Sequence, residues 1–163
     1  MFSINNKTIL VFGDGIPIEE INNIDINIID GLTYNPTLFK NLEVKNYLEY
    51  AKNIVLKIPD LSISLEVISD DNKNTIEQSK KLSELGQNVS IKIPITFTNG
   101  ELTIESITTL NELNINMNIT AIFTLDQIKS ILPIIKNTET ILSVIAGRLY
   151  DIGIDAKKEI EII

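Results

Sequence analysis

Lys92 is the residue whose surroundings in this sequence most directly suggest chemistry. It lies in the segment Val89–Ile95 and has isoleucine on both sides. Burial among aliphatic side chains disfavours the cationic form of an amine, and a neutral amine can attack a ketone and form a Schiff base. The pattern also suits a lysine on an edge strand, whose charge discourages aggregation. The same tripeptide recurs at Lys57-Ile58-Pro59, where it follows a helical stretch and predicts a lysine at a helix C-terminus. The tripeptide alone therefore leaves both interpretations of Lys92 open.

Other polar side chains alternate with apolar ones in the neighbouring segments. Residues two apart on a strand share a face, so each segment is expected to have one polar and one apolar face. Ser62, Ser64, Glu66 and Ile68 share one face of the third predicted strand, and Ser90, Lys92 and Pro94 share one face of the fourth. In the fifth predicted strand, Asn118 and Thr120 lie on the face opposite Ile119, Ala121 and Phe123. Apolar faces of this kind suit packing against helices. The polar faces would then meet in a shared interior, as in a parallel barrel, or else be solvated on half-exposed strands.

Strand-like and helix-like segments alternate along the whole chain. The predicted strands are Thr8–Gly13, Ile28–Thr33, Ser62–Ile68, Val89–Ile95, Ile115–Phe123 and Thr140–Ala146. The predicted helices are Ile18–Asn23, Pro36–Leu56, Lys73–Leu85, Leu102–Leu113 and Leu125–Lys136, with another beginning near Asp155. This βα alternation predicts a parallel sheet, in either an open doubly wound fold or a (β/α) barrel, and the polar strand faces favour the barrel.

Composition excludes several classes of function. The 163 residues include no Cys and no His, which excludes a disulfide scaffold, a thiol nucleophile and imidazole chemistry. A net charge of -8 argues against a nucleic-acid surface. The carboxylates are scattered, so no metal site is expected, and Gly13-Asp14-Gly15 lacks the third glycine of a dinucleotide-binding turn. Without a basic, apolar leader or a long apolar run, the chain is expected to be cytoplasmic.

Five stretches together resemble the transaldolase family, in its short branch that includes fructose-6-phosphate aldolase-like proteins. Val89-Ser90-Ile91-Lys92-Ile93-Pro94 is similar to the family's Val-Val-Lys-Ile-Pro around the Schiff-base lysine. The other stretches, in the family's order, are Ile29–Thr37, Ser64–Val67, Asn118–Gln127 and Ser143–Gly153. The resemblance covers nearly the whole chain from about residue 8. It implies a TIM (β/α)8-type barrel and a reaction that needs no metal or cofactor.

Residue roles follow from the resemblance. Lys92 would be the nucleophile that forms the imine with a ketose phosphate, and Glu66 would carry protons through a water. Asp14 would deprotonate the hydroxyl group beside the bond that breaks, although Asp14-Gly15 is also ordinary turn chemistry. The substrate-binding residues implied by the same matching are Thr33, Asn35, Asn118 and Thr120.

Arg148 is the only arginine in a chain with thirteen lysines. A guanidinium binds phosphate through a planar fork that an ammonium cannot reproduce. The resemblance implies that Arg148 and Ser143 bind the substrate phosphate. Three positions depart from the family's pattern nearby: Val144, Ile145 and Tyr150.

The function implied is that of a transaldolase of the pentose phosphate pathway. The donor would be fructose 6-phosphate or sedoheptulose 7-phosphate, the acceptor an aldose phosphate, and the assembly a homo-oligomer. Glu66 and Phe123 favour this over the aldolase branch, which has glutamine and tyrosine at these positions and releases free dihydroxyacetone. A (β/α)8 barrel typically needs about 250 residues. The chain is therefore expected to be one domain, residues 1–163, holding about six βα units, with the last quarter of the barrel missing. An inactive family member that acts as a scaffold or subunit is the alternative of another class.

Overall fold

The computed structural model describes residues 2–4, 7–23, 25–135 and 140–162. These residues form one six-stranded parallel sheet and a separate two-stranded antiparallel hairpin. The hairpin strands are β1 (Phe2–Ile4) and β2 (Lys7–Ile9). The sheet strands, in spatial as well as chain order, are β3 (Phe12–Asp14), β4 (Gly31–Tyr34), β5 (Ser62–Glu66), β6 (Val89–Pro94), β7 (Met117–Ile122) and β8 (Ile141–Val144).

Helices follow each strand of the sheet from β4 onward. They are α1 (Pro36–Asn41), α2 (Tyr47–Lys57), α3 (Asn72–Ser83), α4 (Ile104–Glu112), α5 (Leu125–Ile135), α6 (Ala146–Asp151) and α7 (Ala156–Ile162). Two 3-10 turns, Ile21–Asn23 and Ile26–Ile28, connect β3 to β4. None of the helices in the described ranges is long and apolar enough to cross a membrane.

The strand order identifies the architecture. A doubly wound sheet reverses its order at a switch point, whereas this sheet runs in sequence from β3 to β8. Right-handed crossovers that always advance in one direction place all helices on one face. The prediction of a TIM-type barrel shortened to about six βα units is confirmed.

Contacts across the inner face show that the sheet is curved. Neighbouring strands lie about 4.8 Å apart, so β5 and β7 would be roughly 10 Å apart in a flat sheet. Yet Asn118 on β7 donates a hydrogen bond of 3.0 Å to Ser64 on β5, across the intervening β6. Two short side chains can meet in this way only on a concave surface. The inner face is therefore the interior of a partial barrel.

The hydrophobic core lies between the outer face of the sheet and the helices. Strand residues Leu32, Ile63, Leu65, Ile91 and Ile93 are fully buried there. They pack in one cluster with helix residues Ile54, Leu82, Ile107, Leu110, Ile128 and Ile131. The apolar strand faces predicted from alternation therefore do pack against helices. This leaves the inner face free for polar side chains.

Several predicted boundaries were wrong. The helix predicted at Pro36–Leu56 is two helices, α1 and α2, because the chain turns through a positive φ at Glu43 and Asn46 caps a new helix start. The predicted strand Thr8–Gly13 is divided between the hairpin and β3, and Ile18–Asn23 contains only a 3-10 turn. The last predicted strand stops at Val144, and α6 begins at Ala146. Lys136, the predicted end of the fifth helix, lies outside the described residues.

The predicted faces of the fifth barrel strand also need correction at one end. Between β7 and β8 the register slips, so that Ile119 pairs with Leu142 but Ile122 pairs with Val144. Ala121 has a φ of 57° within this bulge. The extra residue reverses the alternation, and Ile122 joins the buried core in place of Ala121 and Phe123. The polar inner face of β7 thus ends at Thr120.

Candidate active site

The predicted site residues come from neighbouring strands of the inner face. Register pairs Glu66 with Lys92 and Lys92 with Asn118, so these three side chains form one row across β5, β6 and β7. A second row, nearer the start of the strands, pairs Asp14 with Thr33 and Thr33 with Ser64. Parallel strands bring their carboxyl ends to one edge, and in barrel enzymes that edge holds the chemistry.

Lys92 lies on an interior strand of the sheet, between β5 and β7. The edge-strand interpretation of this lysine was therefore wrong. Its side chain is 12% exposed, and Nζ lies 3.7 Å from Glu66 Oε2. It also donates a hydrogen bond of 3.4 Å to the Thr33 hydroxyl. The other lysine of the same tripeptide, Lys57, ends helix α2 as predicted and donates to the Ile18 carbonyl at 2.6 Å.

Glu66 is the last residue of β5, and its side chain is 15% exposed. Burial raises the pKa of this carboxyl, the nearby Lys92 lowers it, and Asp14 raises it further, with a net rise. The loss of solvation therefore outweighs the attraction of a single partner at 3.7 Å. Such a carboxyl retains its proton to a higher pH than an exposed glutamate does, which suits a group that must deliver protons.

Asp14 and Thr33 extend the site toward β3. The Thr33 hydroxyl donates a hydrogen bond of 2.8 Å to Asp14 Oδ1 while it accepts one from Lys92. The chain turns away from β3 at Gly15, whose φ is 66°. A Cβ at Gly15 would lie 2.6 Å from a methyl group of Leu38, so glycine is required there. Thr33 thus connects the amine and a second carboxylate in one chain of contacts.

Asn118 is held from two sides. Its Nδ2 donates to the Ser64 hydroxyl at 3.0 Å, and its Oδ1 accepts from the Ser143 hydroxyl at 2.7 Å. Asn118 and Thr120 are both almost completely buried, and Thr120 lies two residues beyond Asn118 on the same strand, paired in register with Pro94. The structure therefore gathers seven of the predicted residues on one surface. They are Asp14, Thr33, Glu66, Lys92, Asn118, Thr120 and Ser143.

Asn35 and Arg148 lie at this end of the strands but are engaged in other contacts. Asn35 is the N-cap of α1, and its Oδ1 accepts a hydrogen bond of 2.9 Å from the Leu38 amide. The Arg148 side chain is 75% exposed on α6 and lies 3.6 Å from Asp151. Within the described ranges, neither side chain makes a hydrogen bond or an ion pair with Glu66, Lys92 or Asn118.

Three features of the site were not assigned from the sequence. Ser64 binds Asn118, and its place on the polar face of β5 was the only available signal. The Tyr47 hydroxyl donates to the Glu66 carbonyl at 2.7 Å, which no motif indicates. Asp70 accepts hydrogen bonds from the amide and the hydroxyl of Thr98 and so joins the loops after β5 and β6. These loops border a cavity of about 410 Å³ that Glu66 also lines.

The arrangement fits the chemistry of a Schiff base. It places one amine, two carboxylates and several hydroxyl and amide groups on a concave surface, and no group of acidic residues in the described chain is arranged to hold a metal ion. No curated protein matches the chain. A protein-family model described as transaldolase/fructose-6-phosphate aldolase matches residues 11–162, which is nearly the whole chain and includes every predicted site residue. The chain therefore belongs to the transaldolase/fructose-6-phosphate aldolase family.

Proposed function

We propose that this protein is a transaldolase that transfers a dihydroxyacetone unit between sugar phosphates through a Schiff base on Lys92. The donor is fructose 6-phosphate or sedoheptulose 7-phosphate, and the acceptor is an aldose phosphate. The observation that carries the proposal is the shielded pair of Lys92 and Glu66, whose nitrogen and oxygen lie 3.7 Å apart on the inner face. An amine beside a carboxyl with a raised pKa supplies both the nucleophile and the proton that imine formation requires.

The first half of the reaction forms the imine. Neutral Lys92 attacks the ketone carbon, the carbonyl oxygen takes a proton, and the resulting carbinolamine loses water with a second proton. Glu66 is the nearest carboxyl to the amine and exchanges these protons through a water molecule. Thr33, which donates to Asp14 and accepts from Lys92, gives the amine a second contact.

The second half breaks and remakes a carbon–carbon bond. Asp14 takes the proton of the hydroxyl group beside that bond, the aldose phosphate leaves, and the electron pair moves into the imine to give an enamine. The enamine then adds to the aldehyde of the acceptor, whose oxygen recovers the proton from Asp14. Hydrolysis of the new imine releases the product ketose phosphate and regenerates Lys92.

Phosphate recognition falls to the end of the sheet formed by β8 and α6. Ser143 faces the inner surface through its contact with Asn118. Arg148 follows on α6 and would leave its exposed partner Asp151 for the phosphate. An exposed ion pair of this kind contributes at most about 1 kcal/mol, whereas a phosphate accepts two parallel hydrogen bonds from a guanidinium. Asn35 retains a carboxamide nitrogen for a substrate hydroxyl, since only its oxygen caps α1.

Borohydride trapping with fructose 6-phosphate tests the proposal. We expect reduction to fix the sugar on the wild-type chain, and peptide mapping to place the adduct on Lys92. Lys57→Ala is a matched control because Lys57 belongs to the second Lys-Ile-Pro tripeptide of the chain and lies at the end of helix α2 instead. The adduct should persist in Lys57→Ala and disappear in Lys92→Ala. An adduct that survives Lys92→Ala, or none on the wild type, contradicts the mechanism.

Turnover of fructose 6-phosphate with and without an acceptor separates the two reactions of the family. A transferase consumes fructose 6-phosphate only when an aldose phosphate acceptor is present. Release of free dihydroxyacetone without an acceptor would instead identify an aldolase. The place in the pentose phosphate pathway and the homo-oligomeric state remain predictions from the resemblance, and the cytoplasmic location remains a prediction from the sequence composition.

A further inference from the structure

Two serine hydroxyls hold the carboxamide of Asn118 in one plane. Ser64 Oγ lies 3.0 Å from Nδ2, and Ser143 Oγ lies 2.7 Å from Oδ1. Ser64 is fully buried and Asn118 is 3% exposed, so water does not compete freely for these bonds. Each hydroxyl can donate or accept, but together they fix the plane of the amide because they approach its two ends.

The fixed amide lies next to Lys92. Asn118 and Lys92 are register partners on neighbouring strands, with side chains on the same face about 4.8 Å apart at the backbone. With one hydrogen of Nδ2 given to Ser64, the second remains available for a ligand, as does the second lone pair of Oδ1. A molecule bound covalently to Lys92 would therefore meet a carboxamide whose direction is already set.

The hydroxyl of Ser64 is not needed by its own backbone. Other buried serines of the described chain do not bond across the sheet: Ser79 donates to the Thr75 carbonyl one helical turn away at 2.7 Å, and Ser106 donates to Asn72 Oδ1 on the preceding helix at 2.7 Å. Ser64 instead reaches a residue 54 positions along the chain, across β6. The contact passes over Ser90, the register partner of Ser64, whose small side chain makes no hydrogen bond among the described residues.

We propose that Ser64 is a positioning residue for the reaction at Lys92 and that it acts through Asn118. The inference rests on the proposed function, because it assigns Asn118 to the imine-bound substrate. Preorganisation of a polar group lowers the barrier only while its direction is held, so loss of one of its two supports weakens it. Ser143 alone leaves the amide free to rotate about that remaining contact.

A double-mutant cycle tests the proposal in the full chain. Ser64→Ala should lower kcat/KM for the sugar phosphate by about tenfold, which is the effect of one hydrogen bond. In the Asn118→Ala background the same change should have almost no further effect, because its target is gone. Ser90→Ala is the matched control: it removes a hydroxyl from the same row of the inner face and should change kcat/KM less than about twofold. Additive effects of Ser64→Ala and Asn118→Ala, or an equal loss in Ser90→Ala, would overturn the proposal.

A second variant and an NMR measurement also test the positioning role of Ser64. Ser64→Cys, whose sulfur is a weak acceptor of similar size, replaces Ser64→Ala if the latter does not fold. In the ligand-free wild type, the NMR signal of the Asn118 side-chain amide should show restricted rotation, and a freely mobile amide would overturn the positioning role. Failure of borohydride to trap any adduct on the wild type would refute the proposed function and with it the role of Ser64 in that reaction. Comparison of the NMR signal between the wild type and Ser64→Ala would then still show whether Ser64 holds the amide.

Discussion

Lys92 and Glu66 form an ion pair across β5 and β6, with 3.7 Å between Nζ and Oε2 and with both side chains shielded from most of the solvent. The attraction between the two side chains does not fully offset the loss of solvation of Glu66. The pKa of Glu66 is therefore raised despite the adjacent cation. The site thus keeps the Glu66 carboxyl in an environment that disfavours its charged form, which costs stability and favours proton exchange with that group.

The raised pKa of Glu66 predicts a specific dependence of stability on pH. Above the ordinary glutamate value of 4.5, the folded chain still binds a proton at Glu66 that the unfolded chain has released. The free energy of unfolding therefore falls as pH rises from 4.5 to the raised pKa, and Glu66→Gln removes this loss. Urea unfolding of both proteins over a pH series should show the wild type losing stability relative to Glu66→Gln through this window. Glu112→Gln makes the same change on an exposed residue, and its free energy of unfolding should depend on pH as that of the wild type does. If the free energy of unfolding of the wild type instead rose relative to that of Glu66→Gln as the pH increased, the raised pKa of Glu66 would be contradicted.

Thr33 is predicted to matter for rate more than for stability. Thr33→Val keeps the shape but removes the hydroxyl between Asp14 and Lys92. Because both charged groups lose a partner, we expect kcat of the proposed reaction to fall by about tenfold or more, roughly 1.4 kcal/mol. Thr108→Val is the control, since that hydroxyl donates only to the Ile104 carbonyl of its own helix. Equal kcat values for Thr33→Val and Thr108→Val would refute a role for the Thr33 hydroxyl.

Arg148 offers a test of phosphate binding that does not involve the core. In Arg148→Lys we expect KM for fructose 6-phosphate to rise about tenfold, because the bidentate fork is lost, with little change in turnover of unphosphorylated fructose. The melting temperature should stay the same, since the pair with Asp151 is exposed. Asp151→Asn, which releases Arg148 from that pair, should leave KM equal or lower. A similar loss with both sugars would show that Arg148 does not act through phosphate.

Alternation along single strands was enough to predict the inner face. Glu66, Lys92 and Asn118 each fall on the polar side of an otherwise apolar segment, and the structure places them in one row. Alternation cannot give the curvature of the sheet, however, and curvature is what brings Ser64 to Asn118. Arg148 illustrates a second limit, because the sequence indicates a guanidinium but not whether it faces the site or, as here, a neighbouring aspartate.

The wrong boundaries have local physical causes. No glycine or proline marks the break between α1 and α2, and the turn depends on a positive φ at Glu43 and on the Asn46 cap. The bulge in β7 also has no signal in the sequence, because Ala121 adopts a left-handed conformation that alanine rarely favours. Features that require a residue to act against its own preference are set by tertiary packing, and a local reading of the sequence misses them.

The bulge itself predicts a stabilising substitution. Ala121 has a φ of 57°, which costs an L-residue about 1–2 kcal/mol, whereas glycine adopts it freely at an entropic cost of about 0.5–1 kcal/mol. Ala121→Gly should therefore raise the free energy of unfolding by about 0.5–1 kcal/mol, measured by urea unfolding with an unchanged m value. Ala146→Gly, at the start of α6 and without a positive φ, should lower it by up to about 1 kcal/mol. If Ala121→Gly destabilises the chain as Ala146→Gly does, the left-handed conformation at residue 121 is not what the bulge requires.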